Sequence, residues 1–166
     1  MNPTEHQKDE FNKYRKGMVH FILVHSYLIF LFAVILGVFF DTFMKKGIFS
    51  NDIYQSIGLL MLVISSIIIY WAQSTSSNYT KNINKSETRS HFEYGPYRYL
   101  RSPTHFGLFI LTLGLALIIN SLFSVIFTIV AYCITKFFFL KKEEDLLEKK
   151  YGQVYSDYKK KVKNWV

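Results

Sequence analysis

Two polar clusters, rich in aromatic and charged side chains, interrupt this otherwise apolar chain. The first, residues 95–107, reads Gly-Pro-Tyr-Arg-Tyr-Leu-Arg-Ser-Pro-Thr-His-Phe-Gly. The second begins with Glu143 and Glu144 and continues into a tyrosine-rich C-terminal segment. Carboxylates accept hydrogen bonds from hydroxyl and amino groups, and Arg98 and Arg101 can bind carboxylates or phosphates. With rings to stack a heterocycle, the set suits an amphiphilic ligand with a planar base, a sugar and an amino-acid end.

The apolar segments that must position these clusters have the length of membrane spans. Half of the 166 residues are hydrophobic, and a helix of about 20 apolar residues crosses a ~30 Å hydrocarbon layer. The last apolar region, residues 105–140, is too long for one crossing and is interrupted at Asn120 and Ser121. We therefore predict four spans, at about residues 19–40, 53–73, 105–119 and 122–140.

The fold class predicted is all-α, a polytopic membrane helix bundle in a single domain of residues 1–166. A tight hairpin of the third and fourth helices brings both polar clusters to one face of the membrane. Beyond Lys141, apolar residues recur at steps of three and four with lysines on the other face, which indicates an amphipathic helix. Gly152 is unfavourable in a helix interior and marks either a break or a close approach to the backbone. The polar segment 74–93 is typical of a flexible loop.

The distribution of basic residues predicts the orientation. They precede the first span, lie between the second and third, and follow the fourth, whereas only Lys45 and Lys46 fall on the opposite side. By the positive-inside rule, this multi-pass integral membrane protein has both termini in the cytoplasm, together with segments 81–104 and 141–166. The net charge of +8 is thereby explained without nucleic acid. Cys133 is the single cysteine, so we predict no cysteine metal cluster and no metal site.

The ordered series of motifs resembles the isoprenylcysteine carboxyl methyltransferase family of membrane enzymes, which includes many small prokaryotic relatives. The resemblance covers about half the chain and rests on the first cluster, the hairpin, the acidic pair and Tyr-Gly-x-x-Tyr-x-x-Tyr at 151–158. It implies methyl transfer from S-adenosylmethionine to a hydrophobic acceptor in the membrane, first of all a prenylcysteine carboxylate. In-line attack by a carboxylate needs positioning and desolvation, and no dedicated catalytic base.

The resemblance also implies a set of site residues. Tyr97, Pro103 and Glu143 match positions that contact the cofactor in the family. The other expected cofactor positions carry different side chains or support the acidic pair: Arg89, Ser90, His91, Phe92, Ser102, Thr104, His105 and Glu144. Where the family usually has Arg-His-Pro-x-Tyr, residues 101–105 read Arg-Ser-Pro-Thr-His. Candidates for binding the substrate are Arg98, Arg101 and Lys136.

Three alternative functions remain open at the level of sequence. A phospholipid or lipid-amine N-methyltransferase would need a neutral histidine or a carboxylate to take the amine proton. A relative of the sterol-type NADPH reductases would share an Arg-His-Pro-like turn, although four spans are few for that class. The substitutions at Ser102 and His105 also fit a non-catalytic membrane protein that retains the fold. Binding of S-adenosylhomocysteine or NADPH distinguishes these alternatives.

Overall fold

The computed structural model describes residues 5–44, 52–82 and 95–162, and every regular element in these ranges is helical. In chain order they are α1 (Glu5–Met44), α2 (Asp52–Asn82), a 3-10 turn (Gly95–Arg98), α3 (Pro103–Ile118), α4 (Leu122–Ile134), a π-helical segment (Thr135–Leu140), α5 (Lys141–Tyr151) and α6 (Gln153–Lys161). The predicted all-α bundle is confirmed.

Three helical stretches in the described part of the chain are long and apolar enough to cross a membrane: Leu23–Phe43, Asp52–Ser76 and Leu122–Lys149. The apolar helix α3 is shorter, with 16 residues and a length of about 24 Å. The last stretch continues from α4 through the π-helical segment into α5 without a break. The acidic pair therefore extends the helix of the fourth span.

The turn between α3 and α4 lies at Asn120 and Ser121, as the sequence predicted. Asn120 has a positive φ of 58°, a conformation that asparagine tolerates better than most residues. Ser121 caps α4, because its Oγ accepts a hydrogen bond from the Ser124 amide at 3.0 Å. The Ser121 hydroxyl also donates to the Asp41 carboxylate on α1, so protein covers the polar turn.

The bundle is organised around α3, which packs against α2, α4 and α1, while α1 packs chiefly on α4. The helices α2 and α3 cross where Gly58 faces Gly114. A Cβ atom on Gly114 would lie 2.8 Å from the Gly58 carbonyl oxygen, so only glycine permits this approach of the two backbones. Between α1, α3 and α4, the core consists of Phe30, Ala33, Leu108, Ala131 and Tyr132.

Two features at the helix ends bear on the predictions. The helix α2 continues to Asn82, so the loop predicted from residue 74 is wrong for residues 74–82. Thr75 shows how a helix accommodates such a residue, since its hydroxyl bonds to the Trp71 carbonyl of the same helix at 2.9 Å. The predicted C-terminal helix is present as α5 and α6, broken at Gly152, whose φ is +54°.

Candidate functional site

The 3-10 turn and the first turn of α3 form one wall of the candidate site. Gly95 has a φ of +62°, and a Cβ atom there would lie 2.5 Å from the Thr75 hydroxyl, so the turn begins in close contact with α2. Pro103 is fully buried and opens α3 directly after Ser102, the position where proline is best tolerated in a helix. The local sequence thus sets the path of the chain from the turn into α3.

Tyr97 connects this wall to two helices. Its hydroxyl group makes side-chain hydrogen bonds with Thr104 on α3 and Ser76 on α2. Burial, and secondarily the Glu143 carboxylate, raise the pKa of Tyr97 above its usual value of 10.0. The phenol therefore stays protonated at neutral pH and faces the side of the site where Glu143 lies.

Glu143, in the first turn of α5, supplies the opposite wall. Its side chain is 22% exposed, but the Oε2 atom is buried and has no hydrogen-bond donor among the described residues. Leaving a buried carboxylate oxygen unsatisfied costs free energy. A ligand hydroxyl or amino group at this position would remove that cost, so the site is suited to a donor-bearing ligand.

His105 lies directly behind Glu143. Its side chain is only 4% exposed, and Nδ1 is 3.9 Å from Glu143 Oε2, which is longer than a hydrogen bond. The other ring nitrogen, Nε2, forms a hydrogen bond of 3.2 Å with the Ser26 hydroxyl on α1. The structure therefore brings two predicted site residues together and adds Ser26, which the sequence analysis missed. A single serine within an apolar span has no spacing that marks it.

Glu144 has a different environment from its neighbour. The Arg101 guanidinium donates to Glu144 Oε1 at 3.1 Å, to the Val162 carbonyl at 2.7 Å and to the Lys159 carbonyl at 2.6 Å. The Lys159 ammonium also pairs with Glu144 at 3.3 Å. We call Arg101, Glu144, Lys159 and Val162 the C-terminal clamp, because they fasten the end of α6 to the start of α3.

The tyrosines of α6 reinforce this contact. Tyr155 and Tyr158 are buried, with Leu147 and Val162 packed against them. The Tyr158 hydroxyl donates to the Tyr97 carbonyl at 2.6 Å. Burial raises the pKa of both tyrosines. The predicted amphipathic helix thus packs its aromatic face onto the wall that contains Tyr97.

The remaining predicted residues lie at the margin of the site or outside the described residues. Arg98 is exposed at the end of the 3-10 turn. Lys136 is half-buried in the π-helical segment and pairs with no carboxylate of the described residues. The contact stretch that resemblance implied before the turn lies outside the described ranges: Arg89, Ser90, His91 and Phe92.

The fold and the site define a helical membrane protein with a polar ligand site at the end of the bundle where α3 begins. The family model of the phospholipid methyltransferases matches residues 53–154, which is more than half of the chain. The chain belongs to this family, which is in the same membrane methyltransferase superfamily as the isoprenylcysteine carboxyl methyltransferases. Comparisons with curated proteins and with solved structures gave no match.

Family membership makes the protein an S-adenosylmethionine-dependent methyltransferase that acts on a membrane-lipid-related acceptor. The side chains of the site are compatible with this cofactor. Glu143 offers an unsatisfied oxygen to the amino or hydroxyl groups of the cofactor, and Tyr97 offers an aromatic ring. The match begins after α1. Ser26 therefore comes from a part of the chain that the family model does not cover.

Proposed function

We propose that the protein methylates the amino group of a membrane phospholipid. The observation that carries the proposal is the contrast between Glu143 and Arg101. Glu143 presents an acceptor oxygen without a donor, whereas the Arg101 guanidinium is already bound to three acceptors of the chain and is 14% exposed. An ammonium headgroup supplies donors and needs no cation beside the acidic pair, whereas a carboxylate acceptor would need one there, and Arg101 is already engaged.

The cofactor contacts proposed are Tyr97, Pro103 and Glu143, with Ser102, Thr104 and His105 beside them. When bound, the cofactor supplies an electrophilic methyl group attached to a sulfonium. A carboxylate has about four lone-pair sites, so Glu143 can accept from the cofactor and from the ammonium headgroup and still face His105. Glu144 acts indirectly, by holding α6 in place through the C-terminal clamp.

Two basic residues are proposed to meet the lipid phosphate. Arg98 is exposed next to Tyr97 along the 3-10 turn, and Lys136 is half-buried two turns before Glu143 along the helix. A lysine in the outer part of a span can extend its ammonium to the membrane interface. Most basic residues flank the spans on the side of the membrane where the site lies, and this supports a cytoplasmic position for the site.

Methyl incorporation into defined membranes tests the proposal. The protein is reconstituted in three kinds of vesicle. The first contains phosphatidylcholine and phosphatidylethanolamine, the second contains phosphatidylcholine alone, and the third contains phosphatidylcholine and farnesylcysteine. After addition of cofactor labelled in its methyl group, the lipids are separated by chromatography. We expect label in N-methylated phosphatidylethanolamine and none with phosphatidylcholine alone, which has no N–H. Label confined to the farnesylcysteine sample would overturn the amine assignment and support a prenylcysteine carboxylate as acceptor.

A further inference from the structure

The buried imidazole of His105 lies between α1 and α5 at the site. Cofactor binding alone does not explain this position. His105 on α3 touches Ser26 on α1 through Nε2 and faces Glu143 on α5 through Nδ1, at 3.2 and 3.9 Å. These three side chains come from separate elements and from positions 79 and 38 residues apart along the chain. Their alignment is a property of the tertiary fold.

Methylation of an amine requires the loss of a proton, whereas methylation of a carboxylate does not. A lipid amine arrives mostly as an ammonium at neutral pH, because alkyl ammonium groups have pKa values near 10. One N–H proton must leave before the nitrogen lone pair can bond to the methyl carbon while the carbon–sulfur bond breaks. A carboxylate acceptor already has a lone pair and releases no proton. An amine acceptor therefore requires a group that receives a proton.

The Glu143–His105 pair has the features of such a proton acceptor. Glu143 Oε2 lacks a donor, and the ring nitrogen that faces it is too distant for a hydrogen bond. A proton held between this nitrogen and Glu143 Oε2 would give the two groups a shared hydrogen bond and satisfy both. The other ionisable groups near the pair are Tyr97 and Tyr155, whose pKa values are raised by burial, and Glu144, which forms an ion pair with Arg101.

We propose that His105, paired with Glu143 and oriented by Ser26, takes the proton that an amine acceptor loses before methyl transfer. The proposal rests on the proposed amine substrate. The ammonium gives one proton to the carboxylate–imidazole pair, which holds it between Glu143 Oε2 and His105 Nδ1. The resulting amine attacks the methyl group and becomes a methylammonium. The pair then releases the proton to water, so each cycle yields one methylated lipid, one S-adenosylhomocysteine and one proton.

The first experiment compares His105→Gln with the wild type in phosphatidylethanolamine vesicles between pH 6.5 and 9.5. Glutamine keeps hydrogen-bonding capacity but cannot take a proton. We expect the variant rate to be about 10²-fold lower at pH 7 and to rise roughly tenfold per pH unit as free amine accumulates. The wild-type rate should depend less on pH than that of the variant over this range, because the pair removes the proton within the site. His25→Gln is the matched control, since His25 Nδ1 donates to the Phe21 carbonyl and its loss should leave the rate within about twofold.

Two further measurements separate proton transfer from folding and cofactor binding. Calorimetry with S-adenosylhomocysteine measures the cofactor affinity of His105→Gln separately, and the rates are compared at saturating cofactor so that a change in this affinity does not enter the pH dependence. A lipid with an alkoxyamine headgroup, which is neutral at pH 7, should be methylated equally by both proteins. Ser26→Ala, which retains the imidazole, should show the same pH signature as His105→Gln at smaller amplitude.

The outcomes distinguish this proposal from the proposed function. If the wild type does not methylate phosphatidylethanolamine at any pH, the amine substrate itself is wrong. If the wild type does so and both variants lose the same fraction of the rate at every pH, the substrate stands and the proton-transfer role of His105 is overturned. Equal loss of activity toward the alkoxyamine lipid would also overturn it.

Discussion

At the scale of single residues, the two adjacent glutamates have separate tasks. Glu143 faces His105 with an oxygen that has no donor, and Glu144 is bound to Arg101 and Lys159. A helix rotates by about 100° per residue, so neighbouring side chains point in different directions. This rotation is sufficient to place one carboxylate in the site and the other in the C-terminal clamp.

Neutralising each glutamate should therefore give opposite results. Glu143→Gln removes the acceptor charge from the site, and we expect the affinity for S-adenosylhomocysteine to fall at least about tenfold, which corresponds to about 1.4 kcal/mol. Its melting temperature should be unchanged or higher, because an unsatisfied buried charge is lost. Calorimetry and thermal melts in detergent measure the two effects.

Glu144→Gln is the matched control for this comparison. It leaves the site carboxylate intact but removes the ion pairs of the clamp, so we expect a lower melting temperature and a smaller change in affinity. The roles would be reversed if Glu144→Gln abolished binding while Glu143→Gln preserved it. Equal effects of both substitutions would show that the acidic pair acts as a unit.

At the scale of elements, the sequence was sufficient to predict the helical class, the hairpin of the third and fourth helices and the break at Gly152. These features follow from local chemistry, such as the Asn120 turn or the glycine itself. The continuation of α2 to Asn82 was missed because hydroxyl side chains such as Thr75 can bond within the helix. Judged by composition alone, a segment rich in serine, threonine and asparagine is predicted to be a loop.

The site was only partly predictable for a related reason. Motif order indicated that Tyr97, His105 and Glu143 belong together, and the hairpin explained how they could meet. The contact of His105 with Ser26 depends on how α1 packs against the hairpin, and one sequence does not reveal this packing. Arg101 was predicted to bind substrate because the sequence does not show which groups surround it. In the fold, its guanidinium donates to backbone carbonyls at the end of α6.

The attachment of α6 should depend on alkaline pH. Burial raises the pKa values of Tyr97, Tyr155 and Tyr158 above 10.0. Groups with a raised folded pKa contribute stability that is fully present below pH 10 and is lost as pH rises through the folded values. Deprotonation of Tyr158 also removes the donor of its bond to the Tyr97 carbonyl.

We therefore expect α6 to stay attached up to about pH 9.5 and to detach above pH 10. Near-ultraviolet absorbance reports tyrosinate formation, and limited proteolysis reports release of the C-terminal segment. The two should occur together, above the pH at which a denatured control titrates. Tyr158→Phe removes the bond but also the ionisation, so its cleavage should be faster at pH 8 and less dependent on pH. Titration of all tyrosines at the pH of the denatured control would contradict this account.

At the scale of the whole molecule, the helices and the C-terminal segment make separable contributions. The bundle has its own core between α1, α3 and α4, and Asp41 ties α1 to the turn between α3 and α4 at the end opposite the site. Helix α6 contacts the bundle through the C-terminal clamp and the Tyr158 bond. Its removal should disturb the site and leave the spans intact.

Truncation after Gly152 tests this division of labour. We expect the shortened chain to remain in the membrane fraction, because the bundle core is retained. Its mean residue ellipticity at 222 nm should be nearly unchanged. Its affinity for S-adenosylhomocysteine should fall by at least about 100-fold, or about 2.7 kcal/mol, because Arg101 and Tyr97 lose the partners that hold the wall of the site. Arg101→Lys in the full chain keeps the charge but cannot reproduce three directed bonds, so it should show a weaker form of the same loss. Full affinity in the truncated chain would mean that α3 and α5 alone form the site.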